Sequence, residues 1–248
     1  MKECFASGVS LPEAYHNALL LLETEGELCS CPDYHTTQKE LSMTMFVEKP
    51  LSEPMISKLF IGGCRELAQY RMEMLDGILD FEIEKGNWAY TYHSRMEPQI
   101  PFILRELRRN PESRRAVIDV RDWEHDSAEG NENPACLQHI QFLIRGGALH
   151  CKVLFRSNDA CKASFMNAFA LIMLQKRFAE LLNVEVGSYT HRANSFHCYE
   201  RDFGMLTGYC RRIRRDEELF YDYAGDWEEL MREAEPEILA AAEELKHR

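Results

Sequence analysis

The chain predicts an α+β fold in a single unit of 248 residues, and three observations carry that prediction. Runs that alternate apolar and polar residues, at 41–47, 116–120, 137–144 and 149–155, read as strands. Runs with helical periodicity, at 10–24, 100–109 and 160–182, are interspersed among them. An apolar content of 45% suffices for a substantial core.

Taken in order, Ser10 stands where a helix N-cap belongs, Pro12 falls in the first turn, and Leu19 to Leu22 supply a face to bury. Residues 26–38 read as loop. The strand at 41–47 is stopped by Pro50 and Pro54. Residues 55–79 carry helical periodicity, interrupted at Gly62-Gly63. Residues 88–92 are aromatic and strand-like. At 100–109, Ile100, Ile103, Leu104 and Leu107 share one helix face and the arginines the other; Pro111 follows. Residues 121–135 are acidic and polar, a surface loop leading to Cys136. Arg145-Gly146-Gly147 joins two strand runs as a hairpin. A strand begins at Val184 and runs to Tyr199, and residues 227–248 form a charged helix. There is no internal repeat.

The net charge of −12 disfavours a nucleic-acid polymer as partner. No apolar run approaches the length of a membrane span and no signal peptide is recognisable, so no membrane association is expected. Nine cysteines without disulfide-like spacing point to a reduced, cytoplasmic enzyme. Cys29-Ser30-Cys31 with His35 does not match a zinc pattern; a mobile loop with free thiols is expected there, and no metal. Arg105, Arg108, Arg109, Arg114 and Arg115 crowd one stretch, which is either a patch for a small anion or a solvated helix face.

Cys136 lies at a loop-to-strand junction, where a thiol can be exposed and activated. The hairpin would bring Arg156, at the end of the second strand run, beside it. A nucleophile next to an arginine suits thiolate stabilisation and phosphate binding. Further motifs follow at ordered spacing: Pro134-Ala135-Cys136 with Gln141-Phe142, Arg156-Ser157-Asn158-Asp159, Asn167, and His197-Cys198-Tyr199. Upstream stand Arg65-Glu66-Leu67, residues 86–90 (Gly-Asn-Trp-Ala-Tyr) and Pro111-Glu112-Ser113-Arg114-Arg115. Together these resemble the thymidylate synthase superfamily, which includes the deoxycytidylate hydroxymethylases, over roughly residues 40 to 203.

The resemblance implies a large twisted mixed β-sheet at a dimer interface, flanked by helices. Residues 1–40 would be a variable N-terminal segment and 204–248 a divergent helical C-terminus. It also implies a chemistry, in which a thiolate adds to C6 of a pyrimidine nucleoside monophosphate. C5 then takes a one-carbon unit from 5,10-methylenetetrahydrofolate. Cys136 would be the nucleophile, Glu66 would manage protons at the ring through water, and Asp159 would orient folate or a ring-bound water. Arg156 would lower the thiol's pKa and, with Ser157, hold the 5′-phosphate, joined by Arg114 and Arg115 donated across a homodimer interface. Asn167 would read the base, and its amide tilts the choice toward a uridylate. His197 and Tyr199 would hold the sugar.

There are also departures from the family pattern. Leu137 follows the cysteine where the synthases have His, and Ser195 and Arg201 replace an Asp and an Asn flanking the sugar motif. His35 is the candidate for the missing N-terminal phosphate arginine. The folate-side tryptophans have no counterpart between Asp76 and Gly86. The short apolar C-terminal tail of the synthases is not recognisable, so water attack and a hydroxymethyl product are expected slightly ahead of thymidylate synthesis. Two alternatives stand beside these, a catalytically silent nucleotide-binding member of the fold and an enzyme acting on a ribonucleotide.

Overall fold

A computed structural model describes all 248 residues. The elements run β1 (Glu3–Gly8), α1 (Leu11–Glu25), β2 (Glu27–Cys31), β3 (Thr36–Val47), β4 (Ile56–Ser57), α2 (Cys64–Asp76), α3 (Phe81–Glu84), α4 (Tyr92–Met96), α5 (Ile100–Arg109), β5 (Val117–Asp119) and α6 (Trp123–Asp126). They continue with β6 (Leu137–Arg145), β7 (Ala148–Asp159), α7 (Ser164–Leu182), β8 (Glu185–Tyr199), α8 (Phe203–Arg214), β9 (Phe220–Tyr221) and α9 (Glu228–Lys246). The architecture is α+β, as expected.

Seven strands form one mixed sheet in the order β1-β3-β8-β7-β6-β5, with β2 paired to the other end of β3. The β1–β3 and β7–β8 pairs are parallel and the rest antiparallel. Gly146 and Gly147 both take positive φ, 59° and 82°, and close the β6–β7 hairpin. Alternation sends Leu41, Met43, Met45, Phe142, Val153, Phe155, Tyr189 and Ala193 to one face, where α1 and α7 pack. The opposite face carries Phe5, Phe46, Leu143 and Leu154, and no helix covers it; Phe5 is 61% exposed.

α7 is buried almost all round, with Phe165, Ala168, Phe169, Leu171, Ile172 and Phe178 in the core. Gln175, on the same helix, donates to the carbonyls of Leu149, Gly187 and Ser188 at 2.7, 3.1 and 3.2 Å. Those carbonyls lie where the β7–β8 register shifts, so a buried amide caps backbone groups that the irregular ladder leaves free.

Three expectations are corrected. Residues 26–38 are not a loop: β2 pairs with β3 in register Cys29↔Gln38, and only Pro32–Tyr34 turn between them. The helix expected through 55–79 begins only at Cys64, because Gly62-Gly63 break it and the preceding residues form β4. Residues 88–91 are not a strand; the Thr91 side chain accepts from Ser94 N and caps α4 instead.

Candidate active site

The ends of β7 and β8, the loop before β6 and the first turn of α7 enclose a cavity of about 880 Å³. Cys136 stands on its wall, half-buried, one residue before β6. Its carbonyl accepts from Arg156 N at 2.8 Å, which ties the loop to β7. Its Sγ lies 3.5 Å from Ser157 Oγ. The Tyr92 hydroxyl accepts from the next amide, Leu137 N, at 3.4 Å.

Arg156 projects into the same space. Its Nη2 donates to Pro134 O at 2.8 Å and its Nε to Ala135 O at 3.1 Å, so the guanidinium braces the loop that carries the cysteine. The parallel β7–β8 register sets Ser157 opposite Ser195 and Asp159 opposite His197. Asp159 Oδ1 accepts from Cys161 N and Lys162 N at 3.0 Å each, which fixes the turn into α7. His197 is 5% exposed; burial lowers its pKa, and Asp159 opposes that shift in part. Its ring packs edge-on to Tyr199 at 4.8 Å. Burial raises the Tyr199 phenol well above its ordinary value.

Asn167, on the first turn of α7 and 5% exposed, turns its amide into the cavity, and the Tyr70 hydroxyl is hydrogen-bonded to its Oδ1. Asn158 is held from behind by His191, whose Nε2 is 2.9 Å from Asn158 Oδ1 and whose Nδ1 is 3.0 Å from the Tyr189 hydroxyl. Burial pushes His191 down to about 3, so it is neutral at working pH. The β2–β3 turn brings Tyr34 and His35 to the cavity mouth, with Tyr34 edge-on to Tyr199 at 5.4 Å.

Seven of the ten expected residues therefore line one cavity: Cys136, Arg156, Ser157, Asp159, Asn167, His197 and Tyr199. Glu66 does not. It is exposed at the start of α2, where its Oε2 accepts from Gly63 N at 2.8 Å and closes the helix N-terminus. Arg114 and Arg115 lie elsewhere too. Both are exposed, make no ion pair and share a separate polar depression with Arg109. Cys29 and Cys31 sit on β2, with Cys29 Sγ 3.3 Å from Glu40 Oε2, and no group of His, Cys, Asp or Glu is arranged to hold a metal.

The sequence marks no role for Tyr70 or Asn158, while Tyr92, in the aromatic stretch that the resemblance places near the nucleotide pocket, does line the cavity. Tyr70 and Tyr92 are also walls of an adjoining aromatic chamber of about 210 Å³ that includes Glu73, Met74, Trp88 and Tyr90. Trp88, 44% exposed, forms one wall of this chamber. Tyr90 is held by Arg95, whose guanidinium lies 3.8 Å over its ring and pairs with the buried Asp126 at 2.8 Å through both nitrogens. The chamber offers flat faces to a planar heterocycle.

A family model described as thymidylate synthase matches residues 70–220. A putative thymidylate synthase of Methanocaldococcus jannaschii is 30% identical over 210 residues, covering 81% of this chain and 93% of that one. The thymidylate synthase of Bacillus licheniformis is 28% identical over 169 residues, 64% of this chain and 59% of that one. Thermostable thymidylate synthase A from Bacillus subtilis superposes with a TM-score of 0.66 over 86% of both chains, at 17% identity. No helix is long and apolar enough to cross a membrane.

Proposed function

Since the chain belongs to the thymidylate synthase family, folate-dependent enzymes that alkylate pyrimidine nucleotides at C5, we propose that it acts on a pyrimidine nucleoside 5′-monophosphate, a uridylate first, through a thioether between Cys136 and C6. The observation that carries this reading is the convergence of Cys136, Arg156, Ser157, Asn167, His197 and Tyr199 on one cavity.

Cys136 Sγ adds to C6, and the π pair of the C5–C6 bond moves toward O4, making C5 nucleophilic. Arg156 receives the 5′-phosphate, where a planar fork suits the anion better than a point charge. Ser157, next to the thiol, and His35, at the mouth, complete that cradle from this chain. Arg114 and Arg115 of the partner subunit supply the remaining positive charge. This is supported by two guanidiniums left exposed and unpaired in one chain and by the uncovered sheet face with its apolar side chains, which suits an isologous homodimer. Asn167 meets the base, and His197 with Tyr199 the 3′-hydroxyl.

The aromatic chamber fits a pterin: its walls are apolar and flat, with one carboxyl, Glu73, among them. Trp88, Tyr90 and Tyr92 would hold that ring, and Asp159 would face it from the nucleotide side. 5,10-Methylenetetrahydrofolate supplies the one-carbon unit when bound. Methyl transfer is the first reading of the product, supported by relatives named thymidylate synthase. Hydroxymethyl transfer is the second, supported by a cavity whose rim, at Glu132, Asn133 and Asp33, is exposed and polar, so that water reaches the site.

Tritium release from C5 tests the reading. Release from at least one of dUMP, UMP, dCMP and CMP, dependent on the folate, is expected. Release from none of them refutes it. The product's mass separates methyl from hydroxymethyl.

A further inference from the structure

Addition of a thiolate at C6 leaves negative charge on O4, and in a partly desolvated pocket that charge needs a proton donor beside it. Glu66 cannot supply it, because its carboxylate is occupied at the N-terminus of α2 and is exposed. Asp159 Oδ1 is engaged by two backbone amides at the turn into α7. What α2 does present to the cavity is Tyr70, whose hydroxyl is hydrogen-bonded to the base-reading amide of Asn167.

We propose that Tyr70 and Glu73 form the proton relay at this edge of the base, with Glu73 acting through the Tyr70 hydroxyl and water. The proposal rests on the C5-transfer reading above and names the proton-handling residues of that site.

Burial raises the Tyr70 phenol far above its usual value, so it passes a proton but does not hold the charge. The group that holds it is Glu73, one turn further along the same helix face. Tyr70 is a wall shared by the nucleotide cavity and the aromatic chamber, and Glu73 lines the chamber side. Glu73 is half-buried, accepts from Gln69 Nε2 at 2.8 Å and has no cationic partner. Burial lifts its carboxyl above the ordinary range, against the smaller opposing pull of Gln69. The groups that face it across the chamber are the phenols of Tyr70, Tyr90 and Tyr92 and the indole of Trp88. The charges on neighbouring elements are engaged elsewhere: Arg71 with Glu235, Arg177 with Asp76, His93 with Asp80, and Arg95 with Asp126.

The step balances. The Cys136 Sγ–C6 bond forms as the C5–C6 π bond opens onto O4. One proton leaves the Glu73 carboxyl, crosses the water and the Tyr70 hydroxyl, and arrives on O4. Glu73 is left as carboxylate. When the thioether is expelled, the proton returns by the same route.

The test uses the full chain and the variants Glu73→Gln, Glu73→Asp and Tyr70→Phe. Folate-dependent tritium release is measured across pH, and nucleotide affinity is measured without folate by calorimetry. Glu73→Gln is expected to lower kcat by about 100-fold and to remove one inflection from its pH profile, with nucleotide Kd within about threefold of native. Tyr70→Phe shows the same loss, and Glu73→Asp restores the inflection with roughly tenfold recovery. A Glu73→Gln enzyme that keeps native kcat and both inflections overturns the relay while leaving the C5-transfer reading intact. So does a kcat loss matched by an equal loss of nucleotide affinity, which marks a structural role. No release by the native chain with any pyrimidine monophosphate removes the C5-transfer reading, and the relay falls with it.

Discussion

Lowering the pH toward 5 should destabilise this fold through two buried neutral histidines. His16 is 4% exposed, with Nε2 2.7 Å from Ser57 Oγ, and burial brings its pKa down to about 4. His191 is 1% exposed, and burial brings it to about 3. In the unfolded chain both titrate near 6.5. Between the unfolded and folded values only the unfolded state takes up the proton, so stability is full above about pH 6.5 and falls as pH drops. At about pH 5 each histidine costs roughly 2 kcal/mol, and the pair ~4 kcal/mol. His197, also lowered by burial, adds in the same direction, whereas the raised Glu73 works against it. For a chain of this length the pair corresponds to a Tm fall of ~8–16 °C. The window avoids the carboxylates: Asp126, which burial pushes up but its bonds to Arg95 and the backbone bring below the ordinary value, and Glu106, held down by Ser113, lose their contribution only at lower pH. The assay is thermal unfolding between about pH 7.5 and pH 5, with each variant compared with itself across pH. His16→Gln and His191→Gln should each remove close to half of the fall. A fall of the same size in the native chain and in both variants would refute the reasoning.

Three further outcomes are expected. Glu66→Ala should cost about 1 kcal/mol by thermal unfolding, through loss of the α2 cap, with kcat within about twofold of native; a kcat collapse would return Glu66 to the chemistry. Asn167→Asp should move base preference from uracil toward cytosine in competition assays, because the carboxylate that replaces the amide meets the cytosine amino group; an unchanged preference would mean the base is read elsewhere. A mixture of Cys136→Ser chains with Arg114→Ala/Arg115→Ala chains, each inactive alone, should recover about one quarter of native activity once subunits exchange, because each mixed dimer holds one complete site. No recovery would show that the arginines do not serve the neighbouring subunit.

The parts legible in the sequence were those set by short-range pattern. The β6–β7 hairpin follows from alternation and Gly146-Gly147, and α5 from its amphipathic spacing. The hairpin, with the length of β7, puts Cys136 and Arg156 together. What stayed hidden depended on long-range pairing or on helix position. β1 adds to β3 in parallel across α1, and nothing local marks that partnership. Residues 26–38 looked like loop because strand β2 alternates polar with thiol side chains and is mostly exposed. For α2, the face was readable but the turn was not. Glu66, Tyr70 and Glu73 share one stripe, yet side chains lean toward the helix N-terminus, so Glu66 folds back onto Gly63 and Tyr70, about 6 Å further along, reaches the cavity.

The grip of Arg156 on Pro134 and Ala135 has a kinetic meaning. On the proposed reading one guanidinium would be shared between the loop bearing the sulfur and the anion at the far end of the nucleotide, so that occupancy at one end would stiffen the other. A nucleoside stripped of its phosphate would then do more than dock weakly: it would meet a slacker cysteine and turn over slowly even at saturation. Discrimination against unphosphorylated pyrimidines would fall on kcat as well as on KM.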